Sequence, residues 1–145
     1  MDRQSELAEA KKKNPDTVAW LYIPGAEVDD PVMQAEDNGY YLKLDDNGEY
    51  AMWGCYYAHC ENEIGGRDKL DKNTTIFGHS ASNCDPDRPK FTKLYRYMDA
   101  DFVPRRFRKH CAAGVRTGNL YRQIVLCRRR TKQCDEPHIA WFYYI

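Results

Sequence analysis

The chain has 145 residues, with 22 Lys plus Arg against 22 Asp plus Glu, so net charge offers no electrostatic footprint for nucleic acid. Eleven Tyr, three Trp and five Phe favour a β-rich globular protein over a disordered one. No apolar run approaches membrane-spanning length, and Met1 leads straight into DRQSELAEAKKK with no secretory signal.

Residues 5–13 (SELAEAKKK) are rich in helix formers, and Asn14-Pro15-Asp16 stops the helix because Pro15 disfavours the helical conformation at Asn14. TVAWLYIPG then reads as a strand ended by Pro24-Gly25. A turn is expected at Asp29-Asp30-Pro31, followed by the extended stretch PVMQ. GYYLKL fits a helical turn or a strand equally, and residues 45–48 (DDNG) form a turn. MWGCYYAH reads as a strand, ENEIGGRDKLDKN as an exposed loop, and TTIFGH as a second strand whose β-branched residues lead to Gly78-His79.

SASNCDPDRP is dense in turn formers. Beyond it Phe91, Leu94, Tyr95, Met98 and Phe102 recur at helical spacing, which predicts an amphipathic helix interrupted or ended by Pro104. AAGVRT and LYRQIVLC suggest a hairpin about Gly118-Asn119, with HIAWFYYI as a third strand. The element order predicts a mainly β fold, a mostly antiparallel sheet or closed barrel. Trp20, Leu21, Ile23, Val32, Leu42, Ile76, Phe91 and Leu94 are the core candidates.

NPDTVAWLYIPGAEVDDPVMQAEDNGYYLKLD resembles the opening of class B sortases, where an N-terminal helix runs into Asn-Pro-Asp-Thr and a Trp-containing strand. WGCYYAHCEN, NTTIFGHS and FTKLYRYMDADFVPRRF resemble, in order, a family strand ending near an Asn, the strand that delivers the family's histidine, and the helix after it. Four motifs in register, over roughly residues 5–107, make the resemblance specific. It implies a sortase-like β-barrel with an N-terminal helix and a helix after the histidine-bearing strand. It also implies cysteine transpeptidation at the outer face of the cell membrane, on a surface-protein sorting peptide and an amine acceptor, without a cofactor. No membrane anchor is visible in the chain.

By this resemblance His79 is the candidate catalytic histidine, the acid or base beside an activated thiolate, and it is expected at an open groove. Gly78 beside it allows close approach of backbone. The competing reading makes His79 a strand-end residue capping a turn. The family cysteine stands in a Thr-Leu-x-Thr-Cys context on a late strand, with the oxyanion-stabilising arginine on the next, and neither context occurs here. Cys127 in IVLCRRR and Cys134 in TKQCDEP do not match, and residues 128–130 (RRR) read as a solvated charge run. His59 stands where the family strand often carries an acidic residue.

Residues 111–145 hold three of the six cysteines and match weakly, so residues 1–145 are read as one sortase B-like domain, cut short, with a divergent tail. The expectation is an inactive chain whose open barrel edges invite self-association. The alternative is a non-catalytic peptide-binding or scaffold module on a degenerate sortase fold. A zinc protein drawing on Cys55, His59, Cys60, His79, Cys84, Cys127, Cys134 and His138 is a weaker reading, because no CxxC pair exists.

Overall fold

The computed structural model describes residues 3–23, 26–65, 71, 73–81, 83, 85–98, 121–127 and 141–144; residues 97–98, 121–127 and 141–144 are described as backbone. Pro24-Gly25, Cys84, Phe102, Pro104, the Gly118-Asn119 turn, residues 128–130, Cys134 and His138 lie outside them.

Helix α1 (Gln4–Lys13) forms where helix formers cluster, with Glu6 in its first turn and Lys11, Lys12 and Lys13 in its last, each favourable to the helix dipole. Asn14 is extended (φ −135°, ψ 112°), as the residue before a proline tends to be. The helix is tied down at its start, where Arg3 pairs with both Glu6 and Asp29 and Leu7 is fully buried.

The described strands β1 (Thr17–Ile23), β2 (Val28–Met33), β3 (Tyr56–Ala58), β4 (Asn73–His79), β5 (Tyr121–Cys127) and β6 (Trp141–Tyr144) form one sheet. Their order is β5-β4-β3-β2-β1-β6. Every pairing is antiparallel except β2 with β3. The sheet is open, as an incomplete barrel would be, with β5 and β6 at its ends. HIAWFYYI supplies β6 at the far end of the sheet from β5, against β1 through Ala19↔Tyr144 and Tyr22↔Trp141.

Alternation along β1 sends Thr17, Ala19, Leu21 and Ile23 into the interior. There they join Val28, Val32, Tyr56, Ile76 and Phe91 on one face of the sheet. A second cluster of Met33, Tyr41, Cys55 and Tyr57, flanked by Leu42 and Phe77, packs elsewhere. Leu21, Ile23, Val32, Ile76 and Phe91 are core residues as expected, whereas Leu42 and Leu94 are half-buried at the cluster margins. Trp20 is not core. It alternates to the other side of β1, where its indole Nε1 donates to Asp29 Oδ1 at 2.7 Å, a partner that an apolar interior would not provide.

Three other expectations need correction. Asp29, Asp30 and Pro31 lie inside β2, and the β1–β2 reversal falls at Ala26-Glu27, where Glu27 is left-handed (φ 52°). Pro31 is tolerated because β2 pairs with β3 only from Val32 onward, so its missing N–H removes no bond on that side. The expected strand MWGCYYAH shrinks to Tyr56–Ala58. Gly54, at φ 55°, turns the chain there, and a Cβ on it would sit 2.7 Å from the Leu42 carbonyl oxygen and 2.8 Å from that of Tyr41. Lastly, the stretch Lys90–Met98 is a 3-10 helix, whose three-residue turn keeps Phe91 and Leu94 on one face against the core.

GYYLKL resolves into a 3-10 helix at Tyr40–Lys43. Asp37 Oδ1 starts it by accepting from the backbone N–H groups of Gly39 (2.6 Å) and Tyr40 (2.8 Å).

Candidate functional site

β4 is a run of β-branched residues that pairs with β3 on one side and along its whole length with β5 on the other. Its last residue is His79. Gly78, just before it, faces the core, where a Cβ would come within 2.8 Å of both the Phe91 and the Tyr56 rings. The close approach expected at Gly78 is therefore made by two aromatic side chains, whose ring centroids stand 4.8 Å apart.

His79 is only 5% exposed, so the expectation of an open groove does not hold. Trp53 meets its ring edge-on, with centroids 6.1 Å apart at 88°. Burial holds the imidazole below its ordinary pKa of 6.5, Lys43 and Lys90 push it the same way, and a backbone hydrogen bond to Trp53 opposes them. A neutral imidazole of this kind accepts a proton from a thiol or an amine near pH 7 and returns it once protonated.

Neither Cys55 nor Cys60, the cysteines whose side chains are described, is poised as a nucleophile. Cys55 is buried, and desolvation pushes its thiol up to about 12. Cys60 lies 4.0 Å from His59 Nδ1, but that nitrogen already accepts the Glu61 N–H at 3.2 Å. His59 works as a turn residue: its N–H donates to the Thr75 carbonyl, and its own carbonyl accepts from Asn62 and from Gln34 Nε2. Among the described residues no three His, Cys, Asp or Glu converge in a way that would hold a metal.

Asn62 entered the sequence reading only as the Asn near which a family strand ends, with no role assigned. Its Oδ1 accepts the Thr75 N–H at 2.7 Å, while its Nδ2 donates to Asp71 and to the Asn73 carbonyl. It thereby sets the start of β4 and hence the reach of the strand to His79. A groove of about 250 Å³ beneath α1, lined by Glu6, Lys13, Trp20 and Pro31 among others, does not include His79. Of the site's surroundings, Lys43, Trp53, Tyr56 and Phe91 lay in motifs the sequence had marked, though without an assigned role; Lys90 lay outside them.

An N-terminal helix leading into an open, mostly antiparallel sheet, with a histidine closing the fourth strand and a helix behind it, defines a sortase-like architecture. The chain is 37% identical over 100 residues to sortase B of Listeria monocytogenes, a match covering 69% of this chain and 38% of that protein. It is 30% identical over 92 residues to sortase B of Staphylococcus aureus, covering 63% and 35%. The solved Staphylococcus aureus sortase B–substrate complex superimposes with a TM-score of 0.57 at 27% identity, over 73% of this chain and 44% of that one. No protein-family model matches the chain. Over the matched part the chain belongs to the class B sortase family, and it spans little more than a third of the length of the curated relatives it matches.

Proposed function

We propose that this chain carries the histidine-bearing part of a class B sortase, with His79 as the residue that moves protons during transpeptidation. In that chemistry a thiolate attacks the carbonyl of a sorting motif, and the histidine protonates the departing amine. An incoming amine then gives up a proton to the histidine as it displaces the thiolate from the thioacyl carbonyl. The observation that carries this reading is the place of His79, which closes β4 against the Trp53 ring inside a sortase B fold.

The implied partners are a surface-protein sorting peptide and an amine acceptor, and the implied place is the outer face of the cell membrane. No described helix is long and apolar enough to cross a membrane. Residues 1–145 contain no cysteine in a Thr-Leu-x-Thr-Cys context, and without nucleophile and oxyanion stabiliser an acid–base residue alone loses nearly all of the rate. The 145-residue chain by itself is therefore proposed to be inactive. Incubation with a peptide carrying an Asn-Pro-x-Thr motif tests this. No cleavage is expected; turnover abolished by Cys127→Ala or Cys134→Ala would overturn the proposal. Peptide binding without turnover would support the alternative role as a peptide-binding or scaffold module.

A further inference from the structure

The sheet stops holding the chain at His79. The described pairing of β4 with β3 reaches only to Phe77, and its pairing with β5 ends at His79↔Tyr121. Beyond that point the second 3-10 helix takes the chain up. The Ala81 N–H, two residues past the histidine, donates to Thr92 Oγ1 at 2.7 Å. One residue before the histidine, the Phe91 ring fills the space over Gly78. Phe91 and Thr92 are consecutive in that helix, and both are fully buried.

Alternation along β4 turns Gly78 toward Phe91 and His79 to the opposite side, where Trp53 meets its ring. The helix thus grips the backbone on one face at the place where the imidazole leaves from the other. Ser80, between the two contacts, is also buried, but its hydroxyl has no hydrogen-bond partner among the described residues. The helix is anchored independently of β4. Lys93 Nζ donates to the Glu27 carbonyl at 3.0 Å, and Arg96 Nη1 to Glu27 Oε1 at 2.9 Å.

Thr74 provides the contrast. It is likewise a fully buried threonine, on the same face of β4 as Ile76 and Gly78, yet its Oγ1 has no hydrogen-bond partner among the described residues. A buried hydroxyl in this fold is therefore not a tether by default, and the hydroxyl of Thr92 is used beside the histidine.

We propose that Thr92 is a positioning residue for His79: its hydroxyl takes over where the sheet pairing ends and fixes the backbone that sets the imidazole against Trp53. The inference rests on the proton-transfer role proposed above for His79. Placement matters to such a role, since a misplacement of about 1 Å can cost about 100-fold in rate.

The test compares the full chain with three variants. Thr92→Val keeps the shape and removes the acceptor, Thr92→Ser restores a hydroxyl, and Thr74→Val is the matched control. Amide exchange at Ala81 and the nuclear Overhauser effect between the Trp53 and His79 rings are read by NMR, without and with the amidated peptide Asn-Pro-Ala-Thr-Asn. Thr92→Val is expected to speed exchange of the Ala81 N–H roughly 2- to 10-fold, the factor equivalent to one net hydrogen bond. It should also weaken the ring–ring effect and diminish the shift that the peptide causes at His79. Thr74→Val should do none of these, and Thr92→Ser should restore all three. Faster Ala81 exchange with the two rings unmoved would make Thr92 merely structural and overturn the proposal. An equal response to Thr74→Val would overturn it too, as general loosening of the core. If Thr92→Val does not fold, Thr92→Ala against Thr74→Ala makes the same comparison. If Thr92→Val moves the rings but the peptide leaves His79 unshifted in the unaltered chain, the positioning role stands and the peptide-handling reading falls. If the peptide shifts His79 equally with and without the Thr92 hydroxyl, that reading stands and the positioning role falls.

Discussion

The Tyr41 hydroxyl donates to Asp16 Oδ2 at 2.7 Å and accepts from Asn14 Nδ2 at 3.0 Å, so the segment that stops α1 also anchors the 3-10 helix of residues 40–43. Asn14 extends the clamp by donating to the Asp46 carbonyl at 3.1 Å. Tyr41 is buried, and desolvation followed by the Asp16 carboxylate holds it firmly as a neutral phenol. Its backbone carbonyl in turn packs against Gly54, which redirects the chain into β3. One hydroxyl therefore connects the end of the helix to the strand beside β4.

Tyr41→Phe keeps the ring and removes the hydroxyl, and is expected to lower stability by about 1 kcal/mol. Asp16→Ala should cost about as much or more, since it leaves a buried phenol without an acceptor. Urea unfolding followed by circular dichroism reads both. Unchanged midpoints would show that the clamp contributes nothing net.

Gly78→Ala would place a methyl 2.8 Å from two aromatic rings. The expected loss is roughly 1–3 kcal/mol, the range for overpacking a filled core. Phe91→Leu on the same background should recover part of that loss, so the two substitutions are expected to be non-additive. Strict additivity in a double-mutant cycle would mean that the strand relieves the clash by moving.

The depressed pKa of His79 has a consequence for stability against pH. The unfolded chain binds a proton near the ordinary value of 6.5, and the folded protein does so only at lower pH. Protonation thus favours unfolding. The stability due to neutral burial is fully present above about 6.5 and is lost as pH falls through the lower folded value. An NMR titration of the His79 ring should give a midpoint below 6.5. His79→Gln should flatten the fall in urea midpoint between pH 7.5 and 5.5; a wild-type midpoint above 6.5 would contradict the burial argument.

Cys55 and Cys60 differ in environment and should differ in reactivity. The buried Cys55 thiol, pushed up to about 12, has almost no thiolate at pH 8, while Cys60 is half-exposed. Iodoacetamide with peptide mapping is expected to label Cys60 in the folded protein and Cys55 only after denaturant is added. Equal labelling of the two without denaturant would count against the described packing of Cys55.

Among the described residues β5 and β6 each have a single neighbour in the sheet. Unpaired strand edges present free N–H and C=O groups to other chains. Concentration-dependent association is therefore expected in sedimentation velocity, weakened by Gln123→Pro in β5. A monomer at all concentrations would mean that both edges are covered.

Sequence alone was enough for the parts that depend on near neighbours. Pro15 ends α1, β-branched Thr74 to Ile76 make β4, and four ordered motifs carry the family over the matched part of the chain. Tertiary structure decided what depends on distant partners. Asp29 to Pro31 read locally as a turn, yet β1 pairs with them in register; the Asp29 side chain is taken up by Trp20 and Arg3. HIAWFYYI carries strand character but nothing in it says that its neighbour is β1, more than a hundred residues earlier. His79 was marked by its motif, whereas its burial against Trp53 and the influence of two lysines on it arise from residues 26 and 36 positions upstream and 11 downstream. Side-chain period reports which face a residue takes on its own element, and only the packing of elements determines what that face meets.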